Sequence, residues 1–299
     1  MSVNDPETEP PESMSGEHPA AAEIRVLEAA IDAHSGHRFG RRLKDLERVY
    51  TAWSGFSIGL SQTLKMCETD EATVVELVIR NVGDTSKQVA ITNVLDQAII
   101  AYVAGLGALI DHVRIVLDSQ SEQLQAEYAQ RIAVLAATVP GSLFLGKLRN
   151  YVLHYVVAPW EFSAEQHGDE ISAKVLLSST ELLTMKSWSA PVRAFIASTG
   201  DQLHLSPLLR PYLAAMQELT VWLINRCWED NTAVFDEVED LVRKRNLLLT
   251  GGTTDGHDWE ARIANMVENR ARAERGEAQI NFETGQPIPH VDDEDAPMG

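Results

Sequence analysis

The chain has 299 residues, of which 44% are hydrophobic and 23% charged, and a net charge of −19. Length alone allows one large domain or two smaller ones. No uncharged apolar run reaches about 18 residues, and the acidic, Pro-rich start lacks the basic end and apolar stretch of a signal peptide. The expectation is therefore a cytoplasmic protein with no membrane segment.

The charge is unevenly placed. Residues 1–23 carry six acids and no Lys or Arg, and residues 251–299 carry eleven acids against four arginines. The middle, 24–250, holds 27 acids and 21 bases. A nearly balanced middle leaves room for a local basic cleft. Cys67 and Cys227 are too far apart for a CxxC metal or redox motif and read as buried thiols.

In chain order, 1–22 has the Pro/Glu/Ser composition of disorder. Helical spacing then marks 23–34 and 41–66, with Gly36 and Gly40 bracketing a break. Residues 73–82 are ambiguous, β-branched yet helically spaced. Residues 86–118 lack proline and are apolar on more than one face, as suits a central helix with neighbours on several sides. A helix over 121–137 follows. Pro140-Gly141 breaks it, and Ser142 is the candidate cap of a helix ending near Pro159.

Residues 161–178 alternate around a Gly-Asp turn and read as a small β-hairpin. Ser178 to Glu181 fits a capping box opening a helix to about Ala197, kinked at Pro191. Ser206-Pro207 starts a helix to about Trp228, and a last one spans about 233–249. Residues 251–299 read as a largely disordered acidic tail. The whole is an all-α bundle over 23–250 with a small β excursion.

The chemistry sits in LGKLRNYVLHYVVAPW (145–160). On a helix Asn150 and His154 are i and i+4 and share a face. Arg149 lies 100° round from Asn150, with a stem long enough to reach back toward His154. Arginine can neutralise a phosphate through two parallel hydrogen bonds, and histidine can move a proton near neutral pH. Such a pair suffices for cleaving RNA by attack of its own 2′-hydroxyl. Read by residue type alone, such a pair is more often a structural one, with Asp96 or Asp111 as its acidic partner. No His, Cys, Asp or Glu cluster has metal-ligand spacing, and no cofactor motif is present.

Other polar runs read as scaffold. Asp111-His112 and Arg114 form an ion pair on the long helix. His34, His37, Arg38, Arg41 and Arg42 form a loop and solvated helix start. Arg243-Lys244-Arg245 complements a helix C-terminus. Trp188, Trp222 and Trp228 lie on apolar stripes and read as core.

The Arg149-Asn150-x3-His154 pattern resembles the R-x4–6-H motif of the HEPN superfamily, and the long helix before it and the order of elements after it are similar too. The resemblance covers roughly 40–230 and is strongest over 142–160. It implies a HEPN-like helical bundle in which Arg149 and His154 are the ribonuclease pair and Asn150 orients them. It further implies a homodimer forming one composite cleft, an RNA substrate, and a place in toxin–antitoxin, abortive-infection or other antiviral defence, with a protein antitoxin or regulator. The nucleotidyltransferase-associated subgroup carries H-x-Y after the motif. Here the order is His154-Tyr155-Val156, so modification of that tyrosine does not carry over. Members without activity serve as interaction or ligand-binding modules, which is the alternative reading.

Overall fold

A computed structural model describes residues 20–79, 85–155, 157–167, 170–249, 259–280 and 287. The expected disorder of 1–22 and of the C-terminal tail falls largely outside these residues, as does the Gly-Asp turn of the hairpin. Residues 32–238 form one compact unit, and 20–31 with the described residues from 239 onward form another.

The larger unit is helical, with a small antiparallel sheet. Its first long helix is α2 (Ser35–Thr69), which follows α1 (Ala21–Ala33) after a single non-helical residue. His34 is the cap, its Nδ1 accepting the Gly36 N–H at 3.2 Å. The expected break at Gly36 and Gly40 is absent. Gly36 lies at a helix crossing, where a Cβ would come 2.6 Å from the Val234 carbonyl oxygen. The glycine permits a close approach and does not end the helix.

The ambiguous stretch becomes a short helix, α3 (Glu71–Val74), running into a π-helical turn (Val75–Ile79). The long apolar segment is α4 (Ser86–Leu117), and α5 (Glu122–Thr138) follows, capped by the Ser121 hydroxyl accepting from Leu124 N–H. By length and composition α4 could cross a membrane. Its contacts are those of a core helix, made with α2 and α6 (Ser142–His154).

After α6 come β1 (Trp160–His167) and β2 (Glu170–Ser178), paired antiparallel from Trp160 opposite Leu177 to His167 opposite Glu170. A third strand, β3 (Gln202–His204), adds to β2 and was not expected; three residues are too short for a periodicity to show.

The expected helix 179–197 is two helices, α7 (Ser179–Thr184) and α8 (Ala190–Ser198). Ser178 makes no side-chain cap bond, and Pro191 lies in the first turn of a new helix, where its missing N–H costs nothing. Then come α9 (Ser206–Asp230) and α10 (Thr232–Leu249).

Trp53 of α2 is fully buried at the centre, against the rings of Tyr102 at 6.0 Å and Tyr212 at 6.1 Å. Trp188 belongs to this core and Trp222 borders it. Trp228 is 41% exposed and lies over the Phe235 ring instead, a correction to its reading as core. In the smaller unit a helix, α11 (Trp259–Glu274), stands where the acidic composition suggested none. Asn269 holds the chain after it, exchanging hydrogen bonds of 2.8 and 2.9 Å with Ile280.

Both cysteines are buried and free. Burial first, with Glu68 adding, pushes the Cys67 thiol up to about 11. Burial, with Asp230 adding and Arg226 opposing, pushes Cys227 up to about 12. A thiol raised in the folded state favours folding below its ordinary value and loses that contribution as pH climbs toward 11. Neither thiol is expected to react with dithionitrobenzoate in the native protein at pH 8, and both are expected to react in denaturant. Rapid labelling of the native chain would contradict their burial.

Candidate functional site

The α6 helix starts from Gly141, whose φ of 71° is left-handed. A Cβ there would also meet Leu208 and Phe195 at 2.9 Å, so glycine is required on two counts. Ser142 is helical and buried, with its hydroxyl directed at the Leu135 carbonyl at 3.5 Å. The capping position expected for it belongs to Gly141. Phe144, Leu145, Leu148, Tyr151 and Val152 form the buried face of α6. Leu143, Lys147, Asn150 and His154 are exposed and fall four, three and four residues apart, so they form one stripe.

Asn150 and His154 therefore come together as expected. With Tyr155 they form one side of a cleft of ≈ 500 Å³, and Thr184, Met185, Lys186 and Ser187 form the other. Among the described residues, no carboxylate lines it. Neither the Asn150 nor the His154 side chain is hydrogen-bonded to any described residue.

The opposite wall is the segment between α7 and α8, and its shape is fixed from behind. The Trp188 indole N–H donates to the Leu182 carbonyl at 2.6 Å, and the Arg193 guanidinium donates to the carbonyls of Leu183 and Met185 at 3.3 and 3.1 Å. Trp188 stacks on Tyr151 at 6.0 Å and 10°, and Tyr151 in turn meets the half-exposed Tyr155 ring at 5.6 Å. Burial, with Glu181 and Tyr155 adding, raises the Tyr151 phenol, which stays neutral at physiological pH. An aromatic row thus ties α6 to the facing segment.

Arg149 goes elsewhere. Its stem lies over Gly107 of α4, where a Cβ would come within 2.7 Å of its Cδ and Nε and 2.9 Å of its Cζ. It is half-buried and is not among the residues lining the cleft. Its Nε is sealed from solvent with no acceptor among the described residues. Within one chain the arginine and the histidine occupy different sides of α6, as their 140° separation on a helix dictates.

The acidic partners considered for a structural pair are engaged with other groups. Asp96 accepts the Trp160 indole N–H at 2.8 Å, and Asp111 pairs with Arg114 at 3.1 Å. Among the described residues, no group of three His, Cys, Asp or Glu side chains gathers as metal ligands would.

Gly107, Lys186, Trp188 and Arg193 were not foreseen as parts of this region. A signal existed for the wall: Ser189-Ala190-Pro191 is a capping residue followed by a first-turn proline, which announces a helix start and so a break before it. Gly105 and Gly107 inside a long apolar segment do suggest a close helix crossing or a kink, and Gly107 is such a close approach, but that Arg149 is what covers it has no local signal. The chain matches no protein-family model, no curated protein and no solved structure, so the site's own geometry carries the functional argument.

Proposed function

We propose that this protein is a HEPN-like, metal-independent RNA endonuclease. The 2′-hydroxyl of the substrate attacks the adjacent phosphorus and the 5′-oxygen leaves, giving a 2′,3′-cyclic phosphate and a 5′-hydroxyl end. His154 assists proton transfer, Arg149 stabilises the charge on the phosphoryl oxygens, and Asn150 holds the phosphate or the imidazole. The observation that carries this reading is the state of His154, exposed and unbonded in a carboxylate-free cleft while Asp96 and Asp111 are engaged with other groups. A buried structural pair would be closed and satisfied.

In this reading the complete site forms in a dimer, with the arginine of one protomer facing the histidine of its partner, and the separation of Arg149 from His154 within one chain supports it. A surface on α4 suits that arrangement. Ile100, Ala104, Ala108 and Ile115 are exposed and fall four, four and seven residues apart, and Leu143 of α6 is 43% exposed as well. Water-facing apolar side chains on one helix stripe are what a helix interface buries.

Cleavage is expected to persist in EDTA and to stop when the 2′-hydroxyl at the cut position is replaced by hydrogen. Product ends read by mass spectrometry should carry the cyclic phosphate. Activity lost to the chelator and restored by Mg²⁺ would overturn the mechanism. The second reading, a non-catalytic interaction module, draws on the placement of Arg149 over Gly107 and outside the cleft. It predicts dimers that bind without cutting.

A further inference from the structure

Several arginines of this acidic chain hold an acid, while others, Arg41 and Arg210 among them, have none among the described residues. Arg48 pairs with Asp45, Arg114 with Asp111, Arg243 with Glu239, and Arg226 with Glu127, Glu229 and Asp230. Arg38 and Arg42 do not. Both are exposed, one turn apart on α2, and neither is ion-paired to any described residue. Two acids at this end of the helix lie beside histidines, Glu237 3.3 Å from His34 and Asp32 3.7 Å from His37.

The two arginines share a cleft of ≈ 450 Å³ with Ser35 of the same helix, Ser119 and Gln120 of the turn after α4, and Asn231 at the junction of α9 and α10. Among the described residues, no carboxylate lines it. Its far wall is internally bonded. The Asn231 amide donates to Gln120 Oε1 at 3.0 Å and to the Cys227 carbonyl at 2.8 Å, and Gln120 Nε2 donates to Ser119 Oγ at 3.2 Å. These bonds hold the wall and leave the two guanidinium groups and the Ser35 hydroxyl to meet a ligand.

Like charges one turn apart disfavour a helix by a few tenths of a kcal/mol, and an anion between them removes that cost. Planar guanidinium forks match phosphate oxygens. A cleft of this volume lies in the range of small-ligand sites.

We propose that this cleft binds a phosphate group, held between Arg38 and Arg42, with Ser35 as a further donor. The group comes either from a free nucleotide or from the backbone of an RNA strand. The site is separate from the α6 cleft and does not depend on the ribonuclease reading.

The test is binding to the full chain by three probes: inorganic pyrophosphate and ATP by calorimetry, and a labelled 2′-O-methyl RNA of about 20 nucleotides by anisotropy. The last cannot be cut by 2′-hydroxyl attack. The double substitution Arg38→Gln/Arg42→Gln should weaken every probe that binds by tenfold or more. For the RNA it should also lower the salt slope by about 1.4, since each phosphate contact on a single strand contributes about 0.7. Arg38→Lys/Arg42→Lys, which keeps the charge, should fall between. Arg48→Gln, which removes a paired charge from the same helix, should bind as the unaltered chain does. Pyrophosphate and ATP binding that the Arg38→Gln/Arg42→Gln variant loses identifies a nucleotide site, and loss of RNA binding alone in that variant identifies a backbone contact. No binding of any probe, binding that Arg38→Gln/Arg42→Gln leaves unaltered, or equal weakening by Arg48→Gln overturns the proposal.

Discussion

Glu68→Ala is expected to destabilise the larger unit by about 3 kcal/mol, since losing hydrogen bonds to a charged acceptor costs roughly 1.5–3 kcal/mol each and such losses overlap. The Glu68 side chain is only 15% exposed, and its Oε1 accepts from three groups on separate elements. These are the Val175 N–H of β2 at 3.3 Å, His204 Nε2 of β3 at 2.8 Å, and the Ser206 hydroxyl at the start of α9 at 2.8 Å. One carboxylate at the end of α2 thereby anchors the sheet and the next long helix. Alanine strands all three donors, and Val175 is fully buried, so its N–H has no recourse to water.

A loss of 3 kcal/mol corresponds to roughly 6–12 °C in Tm for a unit of this size. Glu68→Gln keeps an acceptor oxygen and should lose less. Glu161→Ala provides the comparison. Glu161 also holds a strand residue, accepting from Gln202 Nε2 at 2.6 Å, but in an exposed bond, and should cost within about 0.5 kcal/mol. Equal Tm shifts for Glu68→Ala and Glu161→Ala would show that the shared carboxylate is not what anchors β2, β3 and α9.

How much of this could be read from the chain depends on whether the controlling contact is local. Long segments such as α4, α5 and α9 were legible, α5 and α9 because one side of each is repeatedly apolar and α4 because a proline-free run is apolar on more than one face. The hairpin was legible because alternation and a Gly-Asp turn agree. The break expected at Gly36 failed because a glycine serves a turn and a close helix crossing alike, and only the position of Val234 decides between them. The Glu68 hub gave no sign, its partners lying more than a hundred residues away.

The candidate site divides in the same way. That Asn150 and His154 share a cleft follows from four-residue spacing on a helix. The direction of Arg149 does not follow, because a long side chain goes where a neighbouring surface admits it. The space over Gly107 is a property of α4, more than forty residues earlier.

The reading of His154 as catalytic meets its most direct test in one comparison, RNA cleavage and thermal unfolding of the full chain against His154→Ala. The imidazole is exposed and touches no described partner, so its removal strands nothing in the core. Stability should change by less than about 1 kcal/mol, the range for sites away from close-packed interiors. Cleavage should fall by about 10²–10⁴-fold, the contribution of a positioned acid or base. Arg149→Lys, which keeps the charge and loses the planar fork, should fold and cleave poorly. The account predicts an active chain, an inactive His154→Ala variant, and nearly coincident melting curves. Unaltered cleavage by His154→Ala, or a loss of about 3–5 kcal/mol in a chain that never cut RNA, would contradict it, the second being the cost of breaking a buried pair.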